Sequence, residues 1–205
     1  MAPWTTLLAL SVAALCLGAE AASVTKTKCP VVPGKSPFDL NKFRGDWLLV
    51  AGSPDSLAAR GKCGKYSASA GPGQDGLSLR FAGQGAAAGP GKAAAPLALD
   101  VISQAVAGDK VALSHAVYRK QGDADYEGVF KQSIVATDYD NYAVVVSCRQ
   151  VYVASTKSFG RNLYAEIWSR NKVTLSPETI GVLKNILSSY DLDASEIKNV
   201  DRSKC

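Results

Sequence analysis

Five cysteines, Cys16, Cys29, Cys63, Cys148 and Cys205, carry the most reactive chemistry in this 205-residue chain. Their spacings of tens of residues, with no CxxC pair, do not suit a zinc cage, so no metal site is expected. Residues Leu7–Leu17 form an apolar run too short to span a bilayer, and Ala19-Glu20-Ala21 follows with the small-x-small form of a signal-peptidase site. Residues 1–21 therefore read as a signal peptide and the protein as secreted and extracellular. Cleavage removes Cys16 and leaves four cysteines, an even number that reads as two disulfides in an oxidising compartment. Spacing alone allows three pairings.

Other reactive groups are sparse. His115 is the only histidine, no GxSxG is present, and a lone histidine without a serine partner gives no triad. With the thiols committed to bridges, no nucleophile is left for covalent catalysis. No catalytic residues, and no enzymatic activity, are expected. Residues Gly71–Gly76 spell GxGxxG but contain Pro72 and run into a strand rather than a helix, so they fail as a dinucleotide loop. The net charge of +5 rises by one when Glu20 leaves with the leader. Its lysines and arginines are scattered singly, as on a solvated surface, which argues against nucleic-acid binding.

The remaining residues, 22–205, suit one domain. Pro30, Pro33 and Pro37 break any regular element and leave an extended N-terminal arm. Eight short runs bounded by turn residues then read as strands: Asp46–Gly52, Lys65–Ala70, Leu77–Gly83, Leu97–Gln104, Lys110–Tyr118, Gln132–Thr137, Tyr142–Cys148 and Leu163–Ser169. Leu97, Leu99 and Val101 alternate with polar neighbours, as do Val111, Leu113, His115 and Val117. Residues Gly83–Ala95, almost wholly Gly, Ala and Pro, read as a flexible loop. Ser176-Pro177-Glu178 supplies an N-cap, a first-turn proline and an early acid, and Ile180, Leu183, Ile186 and Leu187 follow as one apolar stripe. Eight strands and then one amphipathic helix favour an antiparallel up-and-down β-barrel with a C-terminal helix packed on its outside.

Three motifs in order resemble the signatures of the lipocalins. Phe38–Trp47 ends in Gly45-Asp46-Trp47, a GxW; Val135–Tyr142 holds Thr137-Asp138-Tyr139; and Arg170 follows the last strand. Ala136–Cys148, Ser169–Asn171 and Leu175–Leu187 are similar to the apolipoprotein D-like branch, and bilin-binding lipocalins and crustacyanins share much of that pattern. The resemblance implies a closed base in which Arg170 stacks on Trp47, and a cup that holds a small hydrophobic ligand. It also implies the pairs Cys29–Cys148 and Cys63–Cys205. The cavity lining it implies is Leu49, Ala51, Leu97, Leu99, Val101, Val111, Leu113, His115, Val117, Ser133, Val135, Tyr164, Glu166 and Trp168, with His115 and Glu166 offering polar contacts to a ligand.

The expected function is a secreted carrier for a fatty acid, sterol or similar lipid. The alternative is a chromoprotein that binds biliverdin or a carotenoid for coloration. No cofactor is required in the first reading; a bound bilin or carotenoid chromophore belongs to the second. Arg60, Lys62, Lys92, Arg119, Lys120, Lys157 and Arg161 fall in rim loops that suit a carboxylate on such a ligand. Mapping of non-reduced peptides is expected to return the Cys29–Cys148 and Cys63–Cys205 pairs. A Cys63–Cys148 bridge would refute that assignment.

Overall fold

The computed structural model describes residues 27–73, 76–87, 94–106, 110–170, 173–203 and 205. The signal peptide expected over residues 1–21 lies outside them. A one-turn helix α1 (Leu40–Phe43) leads into β1 (Gly45–Gly52), and a second short helix α2 (Pro54–Arg60) leads into β2 (Lys62–Ala70). The chain then runs through β3 (Gly76–Ala87), β4 (Ala94–Ala105), β5 (Leu113–Lys120), β6 (Glu127–Thr137), β7 (Tyr142–Val153) and β8 (Ser158–Arg170). Helix α3 (Pro177–Ser188), a 3₁₀ turn (Ala194–Glu196) and the two-residue β9 (Lys198–Asn199) complete it.

From β1 to β8 each strand pairs antiparallel with the next, and β8 pairs with β1, which closes an eight-stranded barrel. Closure leaves these eight strands without a free edge. β3 and β4 extend well into the stretch that reads as a loop, to Ala87 and from Ala94. Small residues do not prevent pairing when two neighbouring strands already fix the register, as Leu77–Gln84 against Ser103–Pro96 do here.

The barrel is closed at the end where β1 begins. Trp47 is wholly buried there, and its Nε1 donates to Phe43 O at 2.9 Å. The Arg170 guanidinium carbon lies 3.8 Å from the Trp47 ring centroid. Its three nitrogens each meet a carbonyl: Nε donates to Tyr139 O (2.7 Å), one terminal nitrogen to Arg44 O (2.8 Å) and the other to Lys42 O (2.6 Å). One side chain thus joins α1, the β6–β7 turn and the first strand. Gly45, with φ +103, takes the chain from α1 into β1 right beside this guanidinium.

The β6–β7 turn is held by its own side chains. Asp138 accepts from the backbone N–H groups of Asn141 (2.8 Å) and Tyr142 (2.9 Å). Thr137 Oγ1 donates to Tyr142 O and accepts from Tyr139 N. Partial burial pushes the Asp138 carboxyl up, but these N–H groups outweigh it and hold it below its ordinary value.

Two disulfides join Cys29 to Cys148 and Cys63 to Cys205, across 119 and 142 residues. In the chain-entropy model each removes up to about 5 kcal/mol of unfolded-state freedom. The first fixes the N-terminal arm against β7. Gly34 lets that arm cross close to Ala112, where a Cβ would sit 2.4 Å from a backbone carbon. The second fixes the tail to the start of β2, after β9 has paired with Ala51 and Gly52. α3 buries Leu183 and Leu187 against Val144, Val146, Ala165 and Ile167 on the barrel's outer face.

Replacing Arg170 by Gln removes the stack and leaves carbonyls at the base without their cationic donor. Urea unfolding is expected to show a loss of about 2–4 kcal/mol. Arg170→Lys should recover little, because an ammonium cannot reproduce the fork. A loss under about 1 kcal/mol would show that the base does not depend on this residue.

Candidate functional site

Strand alternation sorts the expected lining residues into two groups. Leu49, Leu99, Val101 and Trp168 belong to the apolar cluster inside the barrel, with Leu97 packed against it. Tyr164 and Glu166 lie on the same inward face of β8 as Trp168. The other residues do not line the cup. Val135 and Ala51 join the outer cluster beneath α3. Ser133 donates to Val32 O of the N-terminal arm. His115 is exposed on the outer face, where it borders grooves of about 520 and 550 Å³, and Val117 borders the second of them. Val111 precedes β5; it and Leu113, the first residue of that strand, border a space of about 30 Å³ with Phe38, Leu77 and Ile134, away from the mouth, and Leu113 also borders the outer groove along the arm.

The residues that face inward from β5 and β6 are instead Ala116, Tyr118, Phe130, Gln132 and Ile134. Both faces of these strands carry apolar residues, because the arm and α3 cover parts of the outside. Alternation therefore does not say which face is inner, and a one-residue slip reverses every assignment. Irregular pairing at Ala116/Tyr118, Ile134/Ala136 and Leu49/Ala51 shifts the phase further.

The middle of the barrel is filled. Tyr66 stacks on Trp168 at 4.0 Å and packs against Phe81 at 4.9 Å. Glu166 stands among them, 4% exposed. Its Oε2 accepts from Tyr66 Oη at 2.6 Å and from Trp168 Nε1 at 2.7 Å. Its Oε1 lies 3.6 Å from Arg60 Nε, an ion pair rather than a hydrogen bond. Burial, together with the carboxylate alongside, pushes the Tyr66 phenol well above its ordinary value, so it remains a donor. Burial works against the charge on Arg60, but Tyr66 and Glu166 outweigh it and raise its value.

Arg60 reaches this position from α2, which folds over the end of the barrel opposite the base. Ser53 caps that helix, accepting from Ser56 N, and Pro54 occupies its first turn. Ser53 Oγ also lies 3.1 Å from Ala165 N and from Leu163 O, and Asp55 accepts from Leu163 N, so β8 anchors the helix. The Ser53-Pro54-Asp55 start is the same signal that marks α3 at Ser176-Pro177-Glu178, and the sequence therefore contained the cue for α2.

Above this network lies a cavity of about 180 Å³, lined by Ala59, Arg60, Leu97, Leu99, Tyr118, Lys120, Phe130, Arg149 and Tyr164. Ligand pockets run from about 300 to 1,000 Å³, so a larger ligand needs α2 to give way or projects from the mouth. Of the basic rim residues, Arg60 and Lys120 border this space. Arg119 sits beside Asp100 and Tyr126, and Arg161 binds Lys28 O and Asp191. Lys62 opens β2, exposed Lys157 sits in the β7–β8 turn, and Lys92 lies outside the described residues. Among the described residues no cluster of His, Cys, Asp or Glu could hold a metal ion, and no helix is long and apolar enough to cross a membrane.

No family model matches the chain. It is 29% identical to apolipoprotein D of Cavia porcellus and 26% to that of Bos taurus, in each case over 97% of this chain and 95% of the relative. Insecticyanin-A of Manduca sexta is 29% identical over 86% of this chain and 87% of its own. Among solved structures, apocrustacyanin C1 superposes with a TM-score of 0.56 at 17% identity, over 85% of this chain and 92% of that one. Insecticyanin from the tobacco hornworm Manduca sexta gives a TM-score of 0.56 at 22% identity, over 86% and 87%.

Glu166→Gln leaves the buried Arg60 without its counter-charge and is expected to cost about 3 kcal/mol in urea unfolding. Adding Arg60→Met should restore a large part of that loss, since the pair is then removed together. Additive losses in the double variant would contradict the coupling.

Proposed function

We propose that this chain, a lipocalin in fold and similar in sequence to apolipoprotein D over nearly its whole length, is a secreted carrier that binds a small hydrophobic molecule in the mouth of its barrel. The observation that carries this reading is the cavity beneath α2, where Leu97, Leu99, Tyr118, Phe130 and Tyr164 surround an unfilled space in a barrel sealed at its other end. Apolar walls favour a ligand by roughly 25 cal/mol for each Å² of apolar surface withdrawn from water. Fatty acids, sterols and similar lipids fit that chemistry. Extracellular residence agrees with two disulfides and an apolar leader.

A carrier rather than an enzyme is the better account of the polar groups. All four described cysteines are oxidised, and the inward carboxylate Glu166 is saturated by Tyr66, Trp168 and Arg60. His115, on the outer face, does not border this cavity. A second reading, a chromoprotein for biliverdin or a carotenoid, draws on the likeness to the insecticyanins in sequence and fold. The spectrum of the native protein separates the two, because a visible absorption band belongs only to the pigment reading.

The neutral fluorophore N-phenyl-1-naphthylamine is expected to bind saturably with one site per barrel. Leu97→Trp, which fills the cavity, should weaken it at least about tenfold, a change worth about 1.4 kcal/mol. Absence of saturable binding to the parent protein, or equal binding by the folded variant, would overturn the proposal.

A further inference from the structure

Three cations border the mouth cavity, Arg60, Lys120 and Arg149, against the single carboxylate of Glu166. Arg60 is already committed to Glu166, and its guanidinium lies 5.5 Å from the Phe81 ring and 5.9 Å from that of Tyr164. Lys120 ends β5 at the exposed edge. Arg149 differs from both. It is the inward residue of β7 one step above Ser147, and it faces the apolar walls formed by Leu97, Leu99 and Phe130.

The structure holds the Arg149 side chain in a prepared place. Its guanidinium lies over the Tyr118 ring at 5.7 Å. Opposite, Gly128 has φ +53, and a Cβ there would come within 2.7 Å of an Arg149 terminal nitrogen. The missing side chain of Gly128 is thus the notch that the guanidinium occupies. Arg149 Nε is shielded from solvent and has no hydrogen-bond partner among the described residues. A buried donor without an acceptor costs about 1–3 kcal/mol, more on a charged group. A guanidinium held in place beside an apolar wall, with its Nε donor unpartnered, matches an apolar body that ends in an anion.

We infer that Arg149 is the anion anchor of the cavity and that the carried molecule is an amphiphile with a carboxylate head. The carboxylate accepts from the Arg149 fork, the form of hydrogen bond that is shortest and strongest. The apolar body lies along Leu97, Leu99, Tyr118 and Phe130. Glu166 takes no part, and by pairing with Arg60 it leaves Arg149 as the guanidinium able to select the head group. This inference rests on the carrier reading and narrows it.

The test compares 11-(dansylamino)undecanoic acid with its methyl ester, two probes that differ only in the head group. The parent protein should bind the acid at least about tenfold more tightly, as expected for one charged hydrogen bond. Arg149→Gln should abolish that preference while ester affinity stays the same, and unchanged ester affinity also shows that the variant is folded. Should Arg149→Gln fail to fold, Gly128→Ala serves instead, because its methyl displaces the guanidinium tip and should lower acid affinity selectively. Equal binding of acid and ester by the parent protein, or an acid preference that survives substitution, overturns the anchor and leaves the carrier reading standing. If the parent protein binds neither probe, the carrier reading falls and the anchor with it.

Discussion

The closed end of the barrel depends on the Arg170 guanidinium. It stacks on Trp47 and hydrogen-bonds to three carbonyls that belong to α1 and to the β6–β7 turn, segments more than ninety positions apart in sequence. Desolvation holds Arg170 somewhat below the ordinary arginine value, yet its nearest acids, Asp140, Asp46 and Asp138, oppose that shift and the group stays charged. Because the base is sealed by one polar clamp over an indole, the strands above it need not converge. They can remain splayed around an interior at the other end.

That interior is divided in two. Below, the buried rings of Trp47, Phe43, Tyr66, Phe81 and Trp168 fill the section. Above, the space is unfilled, and Glu166 marks the boundary. A carboxylate at this depth persists because two donors and a cation meet it, and the cation comes from a helix outside the strand order. Folding of α2 over the mouth therefore brings the counter-charge to the buried carboxylate. The same pairing couples the state of the mouth to the interior, since any ligand that displaces α2 must also contend with the Arg60–Glu166 attraction.

The architecture was largely legible in the sequence. The eight runs, the capped C-terminal helix and the signature residues Trp47, Asp138 and Arg170 all depend on short-range patterns that survive without tertiary information. The site was legible only where one face of a strand is apolar and the other polar, as along Leu97-Ala98-Leu99-Asp100-Val101. On β6 the arm and the outer cluster cover part of the outside, so Val135 mimics an inner-face residue, while Val117 borders an open outer groove. Arg60, which reads as a rim charge, pairs instead with Glu166, which reads as a ligand contact. Arg149 and Gly128 gave no sequence signal, because their relation exists only across the β6–β7 pairing.

As a carrier, the working protein holds a small molecule in the space beneath α2. Native mass spectrometry of protein purified without denaturant from its natural source, with organic extraction of the same sample, tests it most directly. The expected spectrum contains a population carrying the mass of one apolar small molecule per barrel, released on denaturation and recovered in the extract. A single species at the mass of the polypeptide alone, with an extract free of any stoichiometric small molecule, would contradict it.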